Sequence, residues 1–203
     1  SHELFQGGDK EAYNMSTDIF VVDTPFLIEK LEEEVAKEEP RKLRYVLRDL
    51  AVAENAFAYE YTGYLSNIHS VKAYFDANLD MLESHKFYKL FAPNQKVYTK
   101  VKNEEPTYYS DSSEVKLSQF ASGSIVRGKV ENSVISRNVD LSEGSSVSHS
   151  ILFPRVKVAK GATVEYAIVD KGVEIAEGVT IRGTENNPVV IKKGSVVTED
   201  IVR

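Results

Sequence analysis

From residue 125 onward the sequence repeats every sixteen or seventeen residues, and few folds tolerate so short a period. An apolar residue, two others and a glycine recur as Ile125-x-x-Gly128, Leu141-x-x-Gly144, Val158-x-x-Gly161, Ile175-x-x-Gly178 and Ile191-x-x-Gly194. A second apolar column runs through Val147, Val164, Ile181 and Val197, and a third through Val139, Val156, Val173 and Val189. A fourth is doubled, as Val134–Ile135, Ile151–Leu152 and Ile168–Val169, each pair preceded by the small residue Ser133, Ser150 or Ala167. The period is too short for a helix pair, and its Val, Ile and Gly content suits about three short strands per coil. Stacked coils place equivalent side chains above one another and fill a narrow interior. Leu141, Val158 and Ile175 are expected to form one internal ladder, with Val147, Val164 and Ile181 forming another. Glycine at the fourth place permits turn dihedrals that a β-branched residue resists. The spacing alone specifies a coil and leaves its hand open.

The segments 141–147, 158–164 and 175–181 resemble hexapeptide repeats, and that resemblance implies a left-handed parallel β-helix. The chain's 203 residues allow one large domain or two small ones, and 42% hydrophobic with 28% charged residues is ordinary for a packed protein. A net charge of −6 argues against nucleic acid or an anionic membrane as partner. With no cysteine there is no disulfide framework and no thiolate metal site. No apolar run reaches membrane-spanning length and no signal-peptide pattern opens the chain, so a cytoplasmic location is expected. Residues 1–14 read as a native loop or as residues added for expression.

Residues 15–90 follow other rules. The run 18–22 reads as a short buried strand. Thr24 is a candidate N-cap with Pro25 at the first helical position, and Phe26, Leu27, Leu31 and Val35 recur at helical spacing until Pro40. A second helix is expected over 42–53, presenting Leu43, Val46, Leu47 and Leu50. Residues 56–61 form a second strand candidate. A third helix begins near Ser70 and carries Val71, Tyr74, Phe75, Leu79 and Leu82 inward. Such a β-α-α-β-α piece is too small for a complete α/β sheet. The expectation is a partial α/β domain, begun inside a larger catalytic-type one, with exposed apolar surface that promotes self-association. Residues 91–113 read as a linker into the coils of 114–203.

Two segments carry a family resemblance. Gly63-Tyr64-Leu65-Ser66-Asn67-Ile68-His69-Ser70, followed by Tyr74, Ala77-Asn78, Asp80 and Leu82, resembles the G-Y-W-x-D-V-G-T…A-N-x-D-L signature of sugar-nucleotide pyrophosphorylases. More narrowly it is similar to glucose-1-phosphate adenylyltransferase, which joins ATP and glucose 1-phosphate into ADP-glucose and pyrophosphate for glycogen and starch synthesis. Met15-Ser16-Thr17-Asp18-Ile19-Phe20 resembles the same family's A-S-M-G-I-Y strand. The resemblance implies an α/β nucleotidyltransferase portion over 15–90 followed by the β-helix, with magnesium as cofactor of the intact enzyme and none held by these residues. It marks Ser16, Tyr64 and Asn67 as family-equivalent substrate-side positions.

The departures point away from turnover. The signature aspartate that binds magnesium in active members is Asn67 here, and an amide lacks the charge that magnesium favours. Leu65 replaces the tryptophan, His69 a glycine, and Asp18 the glycine of the strand motif. Together these resemble the degenerate GlgD-type subunit, which the family pairs with a catalytic subunit in a hetero-oligomer. No glycine-rich nucleotide loop occurs in these residues. Competing readings are an active adenylyltransferase subunit, for which Glu60 and Asp76 sit at the wrong offsets, and a hexapeptide acyltransferase with a histidine base.

Blander roles exist for each residue. Ser70 is better placed than Asn67 to cap the following helix, Ser16 can serve as a strand-edge hydroxyl bonded to backbone, and Tyr64 can be core. His149 shares its position with Asn132 and Tyr166 of neighbouring coils, a corner position that argues against a catalytic base. His2 and His85 form no ligand spacing. Arg155, Lys157, Lys160, Lys171, Lys192 and Lys193 read either as an anion site or as a solvated flank.

Overall fold

Each coil of the repeat gives one short strand to each of three parallel sheets. This is the arrangement in the computed structural model, which describes residues 16–53, 56–92, 96–100 and 102–203. The first wall stacks Tyr108–Tyr109, Ile125–Val126, Asp140–Leu141, Lys157–Val158, Glu174–Ile175 and Val196–Val197. The second stacks Glu114–Lys116, Lys129–Glu131, Ser146–Ser148, Thr163–Glu165, Thr180–Arg182 and Ile201–Val202. The third stacks Gln119–Phe120, Val134–Ile135, Ile151–Leu152, Ala167–Val169 and Val189–Ile191. The result is a hexapeptide-type left-handed parallel β-helix of about six turns. Leu141, Val158 and Ile175 are in register and buried, as are Val147, Val164 and Ile181. The dry interior is made of these ladders together with Val139, Val156 and Val173.

The repeat slips at both ends of the stack. Leu141 pairs with Val126 rather than with Ile125. Gly128 is level with Ser145, since Lys129 pairs with Ser146. A Cβ on Gly128 would lie 2.4 Å from the Ser145 carbonyl oxygen, so this glycine permits close approach of two coils rather than a turn. At the other end, residues 183–188 make an excursion closed by a Thr184–Asn187 bridge. The first-wall column therefore advances from Ile175 to Val197, and Ile181 pairs with Ile201. Val189 and Ile191 join the third wall against Ala167 and Val169 instead of the columns that their spacing suggested.

Three corners join the walls, each with its own backbone solution. Between the first and second walls Gly144, Gly161 and Gly178 have φ of 73°, 69° and 71°, the left-handed turns expected of the repeat. Between the second and third walls the left-handed residues are Leu117, Asn132, His149 and Tyr166. Behind that corner a serine spine satisfies the backbone. Ser133 Oγ donates to Glu131 O at 2.7 Å and accepts from Ser150 N at 3.1 Å, and Ser150 Oγ repeats this with Ser148 O and Ala167 N. Between the third and first walls the same conformation falls on Gly123, Asn138, Arg155, Gly172 and Gly194.

The doubled apolar column has a separate cause. Ile135, Leu152 and Val169 point into the coil, whereas Ile151 and Ile168 face outward yet are buried. They pack against Phe75 of the helix Val71–Leu79, with Tyr74 and Leu79 beside it. A 3-10 turn, Asp80–Leu82, and a helix, Ser84–Leu90, continue this cover, and the Gln119 amide donates to the Met81 carbonyl. The first coil takes in residues ahead of 114, because Gly123 N donates to Glu105 O and Tyr108 N to Ser124 O.

Residues 63–203 form one compact unit and residues 1–62 another. In the latter the two helices are Thr24–Val35 and Leu43–Ala53. Asp23 rather than Thr24 caps the first, its Oδ1 accepting from Phe26 N at 3.1 Å, and the helix ends at Val35, before Pro40. Glu34 is buried where it accepts from Arg41 N and Nε, both at 2.9 Å, and from Lys37 Nζ. The strands expected at 18–22 and 56–61 do not form. Ile19 and Val21 are 81% and 101% exposed, and Phe57 and Tyr59 are 98% and 90% exposed, matching the expected apolar surface. A strand is defined by its ladder, and these segments have no ladder partner among the described residues. Met15, Pro93, His2 and the rest of residues 1–14 lie outside the described residues.

Candidate functional site

The signature-like loop 63–70 is anchored at both ends by polar side chains. Ser70 caps the helix Val71–Leu79, its Oγ accepting from Ala73 N at 3.1 Å, as the sequence suggested. Tyr64 is half-buried and its hydroxyl donates to Asp80 Oδ2 at 2.9 Å. Lys86 Nζ donates to Asp80 Oδ1 at 2.6 Å and to Glu83 Oε1 at 2.8 Å, closing a clasp between the loop and the two helices. Burial, and then the Asp80 hydrogen bond, push the Tyr64 phenol above its ordinary range. The Lys86 ammonium is held well above its ordinary range by Asp80 and then Glu83, so it is charged at any physiological pH.

Asn67 is exposed between these anchors, and its main-chain carbonyl accepts from His69 N at 3.1 Å, with His69 Nδ1 3.0 Å from the same oxygen. Leu65 and Ile68 beside it are 59% and 57% exposed. Tyr64 and Asn67 thus share a loop but face different surroundings, one turned to Asp80 and one to solvent. Ser16 lies in the other compact unit and is exposed, its Oγ accepting from Asp18 N at 3.2 Å. Asp18 itself takes a left-handed φ of 56°. Among the described residues, no three His, Asp or Glu side chains come together as metal ligands. A neutral amide at Asn67 does not fit the hard, charged-oxygen preference of magnesium, and no step through a metal is assigned to these residues.

His149 occupies the corner column that the repeat gave it. Its ring stacks on Tyr166 with centroids 4.7 Å apart and planes 17° apart. Asn132 Nδ2 lies 3.2 Å from His149 Nε2. Nδ1 is buried with no hydrogen-bond partner among the described residues. The stack on Tyr166 and the contact with Asn132 give His149 a packing role at this corner. Sequence reasoning missed an open cleft of about 520 Å³ beside this corner, lined by Leu79, Leu82, His85, Leu117, Asn132 and His149 among others. No sequence period joins its two sides, because one comes from the helical cover and the other from the coils.

The family described as GlmU-like, C-terminal hexapeptide, matches residues 102–202. The glycogen biosynthesis protein GlgD of Bacillus subtilis (strain 168) is 34% identical over 197 residues, covering 97% of this chain and 55% of that protein. The GlgD of Geobacillus stearothermophilus is 53% identical over 127 residues, 63% of this chain and 37% of that one. A glucose-1-phosphate adenylyltransferase of Geobacillus stearothermophilus is 36% identical over 91 residues, 45% of this chain and 24% of the relative. The chain spans about half the length, or less, of these relatives.

Proposed function

The chain belongs with the GlgD-type glycogen biosynthesis proteins in the glucose-1-phosphate adenylyltransferase family, and on that premise we propose that it is the C-terminal part of a regulatory or structural subunit of ADP-glucose pyrophosphorylase. One observation carries the reading. In a single organism, Geobacillus stearothermophilus, the chain is 53% identical to GlgD over 127 residues but 36% identical to the adenylyltransferase over 91. Asn67 supports it from the chemistry, because the position that would offer magnesium a carboxylate offers an amide. The role is then assembly and modulation of a catalytic adenylyltransferase subunit, which joins ATP and glucose 1-phosphate and releases pyrophosphate. The β-helix supplies a scaffold for such contacts, since its coils are held by backbone ladders and an apolar core.

The test uses the full-length subunit alone, the catalytic partner alone and the mixture, each assayed for magnesium-dependent ADP-glucose synthesis. The expected result is negligible turnover by the subunit, co-purification of the two, and a mixture whose rate or effector response differs from the partner's. Robust synthesis by the subunit alone would restore the active-enzyme reading. A mixture identical to the partner, with no co-purification, removes the partnership.

A further inference from the structure

The outer face of the third wall is an apolar track with one polar member. Strand register places Gln119, Val134, Ile151, Ile168 and Val190 in a single outward column. Phe75 of the helical cover lies buried against Ile151 and Ile168. Apolar contact is non-directional, and the column is aliphatic from Val134 to Val190. Phe75 therefore holds the cover against the wall but discriminates weakly between neighbouring levels. Gln119 is different in kind. It stands on the first coil, three coil steps or roughly 14 Å from Ile168, and its amide donates to the Met81 carbonyl. A hydrogen bond has a direction and a short reach, so this one sets a register.

Met81 belongs to the 3-10 turn Asp80–Leu82, and the residue before it holds the loop. Asp80 accepts from the Tyr64 hydroxyl through one carboxylate oxygen, at 2.9 Å, and from Lys86 through the other, at 2.6 Å. One three-residue turn thus touches the coil through Met81 and the loop through Asp80. Loop, cover and coils all lie in the compact unit 63–203. We infer that Gln119 is the key by which the β-helix positions the signature-like loop 63–70. It sets the register of the cover, and the Asp80 clasp passes that register to the loop. Gln119 is a positioning residue, acting through Met81 and Asp80 rather than on Asn67 directly. The strands Tyr108–Tyr109, Glu114–Lys116 and Gln119–Phe120 each pair on one side only among the described residues, so the key stands on an end coil. Whatever stiffens that coil acts on the loop through the same bond. This goes beyond the proposed function and does not rest on it, because no catalytic partner takes part.

The sequence has no cysteine, so nitroxide labels attach only where cysteines are introduced. Glu199→Cys near the far end of the coils is paired with Lys89→Cys on the cover in one sample and with Ile68→Cys on the loop in another, all three positions being exposed. Double electron–electron resonance reads the two distances, and the order of effects is the test. Gln119→Leu is expected to broaden both distance distributions roughly two-fold, cover and loop together. Tyr64→Phe cuts the clasp beyond the key and is expected to broaden the loop distance alone. Gln119→Lys keeps an N–H donor and is expected to leave both distances near those of the parent. Hydrogen exchange in 71–79 controls for detachment of the cover, and thermal unfolding for the fold. A Gln119→Leu protein with both distances unchanged overturns the inference, as does one whose loop moves while the cover stays. So does a Tyr64→Phe change that displaces the cover, or a Gln119→Lys protein that behaves like Gln119→Leu. Complete loss of protection in 71–79 on Gln119→Leu also overturns it, since the bond is then the cover's anchor and not its key.

Discussion

Glu34 shows how one buried carboxylate can organise a helix end. It accepts from Arg41 through main chain and guanidinium and from Lys37, and these bonds, Arg41's first, hold its carboxyl well below the ordinary range. A depressed folded pKa stabilises the native state above the unfolded value of about 4.3, and the gain is lost progressively as pH falls from there. Thermal unfolding of Glu34→Gln should therefore lie below that of the parent at neutral pH, with the gap closing under acid conditions; a gap constant from pH 7 to pH 2 would refute the charge-based account. Asn67 belongs to the same scale. Asn67→Asp in the full-length subunit is expected to leave it without efficient ADP-glucose synthesis, since Leu65, His69 and Asp18 still depart from the active pattern. Recovery of turnover by that one change would show Asn67 to be the sole lesion. Ser70 was legible as a cap because no other hydroxyl stands at the right offset before Val71. Asp23 was not, because Asp23 and Thr24 are adjacent and both competent, and only backbone geometry chooses between them.

At the scale of elements, what the sequence revealed was whatever repeats. The inner members of each column lie at equal steps, so spacing alone was enough to group Leu141, Val158 and Ile175 in one ladder. Val158→Asp should unfold the β-helix or loosen it severely, because it puts an unpaired charge among fully buried aliphatic side chains. A folded variant with unchanged thermal stability would contradict the ladder. The ends were illegible because the 183–188 excursion shifts register without changing composition, so Val197 looked like a neighbour of Ile181. The expected strands at 18–22 and 56–61 failed for a related reason, since β-branched and aromatic content specifies a strand's faces and not its partner. The doubled column Ile151–Leu152 and Ile168–Val169 was visible, but its meaning needed Phe75, which covers the outward member. Phe75→Ala is expected to cost about 3–5 kcal/mol and to release the helix Val71–Leu79 before the coils melt. Hydrogen exchange would detect this as early loss of protection in 71–79 with the first and second walls unchanged.

For the whole molecule, stacking makes stability a nearly one-dimensional quantity, in which each coil is held by its two neighbours and an end coil by one. The chain makes the difference visible. Within the inward column, Leu141 and Val158 are 0–1% exposed, whereas Val197 at one end is 7% exposed and Tyr109 at the other is 45% exposed. Backbone donors follow suit, because coils in the middle are bonded on both sides and the outermost strands of each wall on one. Native-state hydrogen exchange should therefore give the strongest protection across 140–182, declining toward 108–120 and 196–202. Mild denaturant should open the ends first and the middle only with global unfolding. The third wall adds a second expectation. Its outer face at Ile151 and Ile168 is roofed by Phe75, so Phe75→Ala should lower protection in the strands 151–152 and 167–169 more than in the first wall at the same height. Uniform protection from 108 to 202, lost in one step at a single denaturant concentration, would mean that the coils do not act as separable neighbours. Ends more protected than the centre would mean that something in solution covers them.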